Sequence, residues 1–122
     1  MATMTLQQWA AKTERRLDDV AREFKLEVLT NLVMGTRVDT GRMRGNWRLS
    51  QGEPITREIN RLDKDGGEVI RIEGNKVSGI SVTYITNNLP YAAVWNERDA
   101  IVAKMQATVA QMVNFAVQKV NK

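Results

Sequence analysis

The sequence contains no cysteine and no histidine. Disulfide bonds, thiolate nucleophiles and Ser-His-Asp or Cys-His catalytic arrangements are therefore excluded, and the usual ligands of a zinc site are missing. Asp63 and Asp65, followed by Gly66, have the first spacing of a calcium loop, but the remaining ligand positions are absent. The composition favours a protein that is not an enzyme and that holds no metal and no cofactor.

Long apolar runs are also missing. No segment approaches the roughly 18 consecutive apolar residues of a membrane helix, and the polar N-terminus lacks the apolar block of a secretory signal. We therefore expect a soluble protein without membrane contact, made in the cytoplasm.

The 18 Lys and Arg against 14 Asp and Glu give a net charge of +4, which permits contact with a polyanion but is small for a dedicated nucleic-acid binder.

An amphipathic helix is predicted over residues 6–34, where apolar residues recur every three or four positions and Gly35 follows. Two signals agree on its start, a capping box and a hydrophobic staple: Thr5 with Gln8, and Met4 with Trp9. At 1.5 Å per residue such a helix is roughly 40 Å long, which is long for a chain of this size. We expect a neighbouring subunit to cover part of its apolar stripe.

A second amphipathic helix is predicted over residues 97–119, with N-cap chemistry supplied by Asn96 and Asp99. The polar face of this helix has little charge, since Lys104 is the only charged residue from Ala100 to Gln118. Such a face is typical either of a helix covered on both sides or of an ordinary core helix with a glutamine-rich solvent side.

Residues 46–86 have a period closer to two, which predicts a β region. Strands are expected over 46–51, 68–73 and 77–86, with a hairpin turn at Gly74 and Asn75. Residues 51–67 are predicted to form a projecting loop or an extended hairpin, and the pattern over 55–62 is ambiguous. The predicted fold is a single α+β domain over residues 1–122: a small antiparallel sheet flanked by a long N-terminal helix and a C-terminal helix.

Residues 38–50, with the sequence VDTGRMRGNWRLS, combine a turn, three arginines and a tryptophan. Asp39 or Thr40 can cap a single helical turn through Met43. In one interpretation Trp47 is a core residue and the arginines are solvated or paired with carboxylates. In the other, the arginines form a positive rim that contacts an acidic subunit or a phosphate backbone.

Residues 84–97, with the sequence YITNNLPYAAVWNE, form the second distinctive segment. The paired asparagines end a strand, Pro90 holds its neighbour extended, and Tyr91 and Trp95 close the core before the last helix. The asparagine pair, Asn87 and Asn88, is explained either by turn chemistry or by a polar contact across a subunit boundary.

These two segments, VDTGRMRGNW at 38–47 and ITNNLPYA at 85–92, lie in order between two helices. The chain thereby resembles, over most of its length, the neck or tail-completion proteins of long-tailed (siphovirus-type) bacteriophages. The match departs after Tyr91, because relatives often have Glu-x-Gly there and Glu97 is followed here by Arg98 and Asp99. We expect the turn into the last helix to differ accordingly.

The resemblance implies a structural virion protein without catalysis that forms a homo-oligomeric ring, of six copies, at the head–tail junction. Such a ring joins the head connector and stopper to the tail terminator or tail tube, around a channel where genomic DNA passes. The protein would thus be located in the virion neck. The candidate residues for the subunit interface or the DNA channel are Arg42, Arg44, Trp47, Arg48, Asn87, Asn88, Pro90 and Tyr91.

Two alternatives stay open. Within the same neck, a tail terminator or a head-closure protein fits the sequence nearly as well. In another functional class, a small basic nucleic-acid-binding protein would use Trp47 as a stacking platform, and its affinity would fall steeply with salt. Its arginines would be Arg42, Arg44, Arg48, Arg57 and Arg61.

Overall fold

The computed structural model describes residues 5–121, and the fold is of the predicted α+β class. A long N-terminal helix, a two-stranded antiparallel sheet and a helical C-terminal region are all present. The elements are α1 (Leu6–Met34), α2 (Arg42–Gly45), β1 (Trp47–Gln51), α3 (Gly67–Gly74), β2 (Thr83–Asn87), α4 (Ala92–Asp99), α5 (Ile101–Ala107) and α6 (Val109–Val120). Within residues 5–121, none of these helices has the length and apolar content needed to cross a membrane.

Helix α1 begins and ends where the sequence predicts. The Thr5 hydroxyl accepts a hydrogen bond from the Gln8 backbone N–H at 3.1 Å, and the Gln8 side chain accepts one from the Thr5 N–H at 3.0 Å. This confirms the capping box, and at the other end Gly35 donates its N–H to the Asn31 carbonyl at 2.9 Å. Met4, the partner predicted for Trp9 in the hydrophobic staple, lies outside the described residues.

Helix α6 packs antiparallel against α1. Ile101, the first residue of α5, lies in the core with Leu29 near the end of α1. Lys119, near the end of α6, forms an ion pair at 3.1 Å with Glu23 near the middle of α1. Residues 6–17 of α1 therefore extend beyond the end of α6, and every one of them except Thr13 is exposed. We refer to residues 6–17 as the arm.

The prediction of one helix over residues 97–119 is wrong, because three helices cover residues 92–120. Ala100 separates α4 from α5 with a left-handed backbone at φ 53°, and the Asn96 side chain accepts a hydrogen bond from the Val102 N–H at 2.9 Å. At the second break, the Thr108 hydroxyl donates to the Met105 carbonyl at 2.8 Å. Polar side chains that bond to the local backbone compete with continuous helical hydrogen bonding.

The strand predicted over 68–73 is also wrong, because these residues form α3. The Asp63 carboxylate accepts hydrogen bonds from the N–H groups of Gly66, at 3.1 Å, and Val69, at 2.8 Å, and thereby satisfies donors at the start of the helix. Val69 and Glu73, four residues apart, are both buried on one face. The expected hairpin turn is instead the end of α3, with Asn75 as its C-cap.

Strands β1 and β2 form the sheet, in a register that pairs Trp47 with Asn87 and Gln51 with Thr83. The first strand is confirmed, but only the last part of the segment predicted over 77–86 is extended in the sheet. The part that precedes it is held against α1 instead, since the Lys25 ammonium donates to the carbonyls of Gly79 at 2.6 Å and Ser81 at 2.9 Å.

Residues 52–66 contain neither helix nor strand, as predicted for a loop. The expectation that the loop projects is wrong for its second half, which is bonded to the turn of α2. The Ile59 N–H donates to the Asn46 side chain at 2.8 Å, and the Asp63 N–H donates to the Gly41 carbonyl at 3.0 Å. The loop is thereby part of the body of the protein.

One apolar cluster joins the end of α1 to α2, β1, α3 and the first helices of the C-terminal region. Its buried members are Leu29, Leu32, Val33, Met43, Trp47, Val69, Leu89, Ala92 and Ile101. The two segments that the sequence singles out thus contribute directly to the core.

Candidate functional site

The helical turn predicted after Asp39 and Thr40 is present as α2. The Thr40 hydroxyl accepts a hydrogen bond from the Arg42 N–H at 3.2 Å. Gly41 precedes the turn with φ 86°, and a Cβ atom there would lie 2.7 Å from the Lys64 backbone nitrogen. A Cβ atom at Gly45 would overlap the backbone carbonyl oxygen of Arg61, in the loop, as well. Both glycines of the motif are therefore required by the loop packed against this turn.

The arginines of the first segment differ in their contacts. The Arg44 guanidinium donates to the carbonyls of Met34 at 3.2 Å, Thr36 at 2.9 Å and Lys64 at 2.8 Å, so it binds the backbone at the C-terminal end of α1. Arg42 forms a half-exposed ion pair with Glu58 at 3.2 Å. Arg48 lies on β1, and its Nε has no hydrogen-bond partner within the described chain.

Trp47 is a core residue, as the first interpretation predicts. The side chain is 6% exposed, and its indole N–H donates to the hydroxyl of Thr36 at 2.8 Å. The stacking platform that the nucleic-acid alternative requires of Trp47 is therefore wrong, because a base cannot reach the face of a buried ring.

The asparagine pair joins the two segments within one chain. The Asn87 amide donates to the Met43 carbonyl at 2.7 Å, and the Asn88 amide donates to the Ile55 carbonyl at 2.7 Å. These are long-range bonds within one chain, and the contact of turn type is the longer bond, 3.4 Å, from the Leu89 N–H to the Asn87 side chain. Pro90 and Tyr91, which follow, are both exposed at the start of α4. The expectation that Tyr91 closes the core is therefore wrong, whereas Trp95 does pack against the core cluster.

A buried ion cluster around Glu73 has no counterpart in the sequence analysis. Glu73, 1% exposed, contacts Arg61 at 3.0 Å and Lys76 at 2.8 Å, and accepts the Leu49 N–H at 2.9 Å. Burial has the largest single effect on the Glu73 pKa and raises it, but the three hydrogen bonds together outweigh burial, so the pKa lies below its ordinary value. The Glu73–Lys76 spacing signals an ion pair only once the segment is known to be helical.

A cleft of about 660 Å³ lies between the end of α1, the turn of α2 and the start of α4. This volume is within the range of binding pockets, roughly 300–1,000 Å³. Its lining consists of Arg37 and eight residues of the two motif segments: Val38, Asp39, Thr40, Gly41, Arg42, Met43, Tyr91 and Trp95. Of the predicted site residues, Arg42 and Tyr91 meet in this cleft, whereas Arg44, Trp47 and Arg48 do not line it.

Arg37 organises one wall of the cleft. Its guanidinium lies 3.7 Å from the centre of the Trp95 ring and forms two hydrogen bonds with Asp99, at 2.8 and 2.7 Å. These hydrogen bonds hold the pKa of the Asp99 carboxyl below its ordinary value and raise the pKa of Arg37. The stacked and doubly bonded arginine fixes the wall in one geometry.

The rim of the cleft is apolar and exposed. Of the lining residues, Val38 is 43% exposed and Tyr91 39%. Asp39 is the acidic residue of the lining, and within residues 5–121 it has no ion pair, whereas both lining arginines have one. The cleft therefore presents an apolar rim with one available negative charge.

The Asp63–Asp65 pair does not form the start of a metal site. Asp63 instead binds the first N–H groups of α3, and across the part of the chain that the structure describes no three candidate ligands converge.

Comparisons with protein-family models, with curated proteins and with solved structures give no match for this chain.

Proposed function

We propose that the chain is a structural protein of a tailed bacteriophage virion, which forms a ring at the head–tail junction and joins the head connector to the tail. One observation carries the proposal. The polar residues of both motif segments mostly bind their own chain, whereas apolar residues are exposed on the arm and at the cleft rim. A subunit whose partners are other proteins needs this distribution.

The arm is the clearest unpartnered surface. Leu6 is 81% exposed, Trp9 58% and Leu17 54%, and helical periodicity places all three on one stripe. An ordinary surface helix faces its apolar stripe toward a core. In a ring, an adjacent copy supplies the apolar surface that the arm lacks in its own chain.

The nucleic-acid alternative is the weaker proposal. Trp47 is buried, Arg44 binds backbone carbonyls, and Arg61 pairs with a buried glutamate, so these side chains are not free for phosphates or bases. In the proposed ring, DNA contact is limited to passage through the channel. We therefore expect weak binding to free DNA that disappears across a filter-binding salt series.

Deletion of the gene from the virus that encodes it tests the proposal. We expect cells to accumulate DNA-filled heads and separate tails, and a plasmid copy carrying an epitope tag to restore joined particles with gold-labelled antibody at the neck. A complementing copy with a stop codon in α1 is the matched control. Joined, infectious particles in the absence of the protein would overturn the proposal, as would a label found elsewhere on the virion.

A further inference from the structure

The arm and the cleft both expose apolar side chains, and they lie at opposite ends of the same helix. Helix α1 has 29 residues, about 44 Å at 1.5 Å per residue. The arm is its first part, and the cleft begins at Arg37, just after its end. Because one continuous helix separates them, an arm cannot reach the cleft of its own chain.

We infer that the arm of one copy docks in the cleft of a second copy of this chain. This inference rests on the proposed function, and it identifies which two surfaces form the contact between subunits. The exposed apolar stripe of the arm has Leu6 and Trp9 as its anchors, and the cleft offers an apolar rim and the aromatic ring of Tyr91. Tryptophan is one of the residues enriched among the anchors that fill pockets at protein interfaces.

One charge of the cleft is complementary to the edge of the arm, because the two arginines of the lining, Arg37 and Arg42, are already paired with Asp99 and Glu58. Lys12 and Arg16, four residues apart, lie along one edge of the apolar stripe, and neither has an ion pair within the described chain. The cleft presents Asp39, a carboxylate without an ion pair of its own within residues 5–121. A docked arm that buries its stripe therefore brings a cation of its edge toward this carboxylate.

The contact is heterologous, because the surface that one copy gives differs from the surface that it receives. Each copy then has one arm to donate and one cleft to fill, and successive contacts run head to tail. Such a contact closes into a ring when the rotation between copies allows it. An arm that pairs with another arm would instead produce a closed dimer.

Two variants with complementary defects test the inference. Leu6→Gln with Trp9→Gln removes the arm anchors, and Val38→Glu places a second carboxylate in the cleft rim. All three positions are exposed, so both variants are expected to fold. Each alone should self-associate on the order of 30-fold more weakly than the unmodified chain in analytical ultracentrifugation. The matched controls are Arg15→Gln, opposite the stripe, and Val82→Glu, on a surface remote from the cleft; both should associate normally.

The mixture of the two variants decides the matter. A 1:1 mixture retains one good arm and one good cleft, so it should form complexes of two copies and nothing larger. Monomers in the mixture, under conditions where the unmodified chain assembles, would overturn the inference. So would a Val38→Glu variant that still forms dimers by itself, because that result indicates arm-to-arm pairing.

If the unmodified chain is monomeric, disulfide trapping at about 1 mM protein replaces the mixture. The chain has no cysteine, so Ala10→Cys in the arm and Val38→Cys in the cleft form a defined pair between two copies. Trapping above the level seen with Glu68→Cys in place of Val38→Cys supports the inference, and trapping at that level overturns it. Trapped copies in a protein that proves dispensable for joining heads to tails would refute only the proposed function.

Discussion

The arm and the region around Glu73 reverse the usual relation between residue type and burial in opposite ways. The arm has the helical spacing of an ordinary core-facing helix, yet its apolar side chains are exposed. In the segment that the sequence predicts as a strand, the charged side chain of Glu73 is buried and bonded to Arg61, Lys76 and the Leu49 N–H. The comparison teaches that neither apolar periodicity nor charge by itself indicates which side chains face the outside of this protein.

Removing the buried carboxylate is expected to have the largest effect on stability. Glu73→Ala leaves the Arg61 guanidinium, 13% exposed, without its carboxylate, and should lower the free energy of unfolding by about 3–5 kcal/mol. Glu68→Ala, on an exposed position of the same helix, should cost no more than about 1 kcal/mol. Urea denaturation followed by circular dichroism measures both. Equal losses would show that burial of the ion cluster contributes nothing.

The hydrogen bond of the buried indole should have the next largest effect. Thr36→Val keeps the shape of the side chain but leaves the Trp47 N–H buried without an acceptor, at a cost of about 1–3 kcal/mol. The same substitution in a Trp47→Phe background should cost less, because the donor is already absent. A double-mutant cycle in urea gives the difference, and a coupling energy of zero would contradict the expectation.

Acid should weaken the protein through its paired carboxylates. The pKa values of Glu73 and Asp99 lie below their ordinary values of 4.5 and 3.8, so the unfolded chain binds protons more readily than the folded chain. Their contribution to stability is complete above the ordinary pKa values and is lost as the pH falls through the lower folded values. Asp99→Asn should reduce this slope in urea titrations between about pH 5 and pH 2. An unchanged slope would contradict the assignment to the Arg37–Asp99 pair.

The arm should contribute least to the stability of a single copy. Leu6→Gln with Trp9→Gln should change the free energy of unfolding by less than about 0.5 kcal/mol in dilute solution. Leu29→Ala, on the same helix but fully buried, should cost about 2–5 kcal/mol. A large loss from the arm substitutions would show that the arm packs within its own chain, and the contrast between the two regions would fail.

Much of the fold could be predicted because its signals are local. The capping box, the spacing of apolar residues and Gly35 fix both ends of α1, and Thr40 fixes the helical turn that follows it. Predictions failed where a side chain six residues away bonds to the start of a helix. The Asp63 carboxylate accepts a hydrogen bond from the N–H of Val69, six residues later, at the start of α3. The Asn96 side chain likewise accepts one from the backbone after the break at Ala100.

The candidate site was predictable only in part, for the same reason. The two motif segments do meet, through the bond from Asn87 to Met43. However, the wall of the cleft depends on a contact between Arg37 and Asp99, which are 62 positions apart, and no spacing in the sequence indicates this pair. Nor does any pattern distinguish Trp47, which is buried, from Trp9, which is exposed.

Ala100 gives the corner between α4 and α5 a particular stiffness. A residue with a Cβ is strained in the left-handed conformation by roughly 1–2 kcal/mol, and glycine would relieve that strain. Glycine would also make the corner between α4 and α5 more flexible. That flexibility would affect the cleft, because Asp99, the neighbour of Ala100, holds Arg37 over the indole of Trp95. A screen for heat resistance alone would therefore favour a substitution that loosens the wall of the cleft.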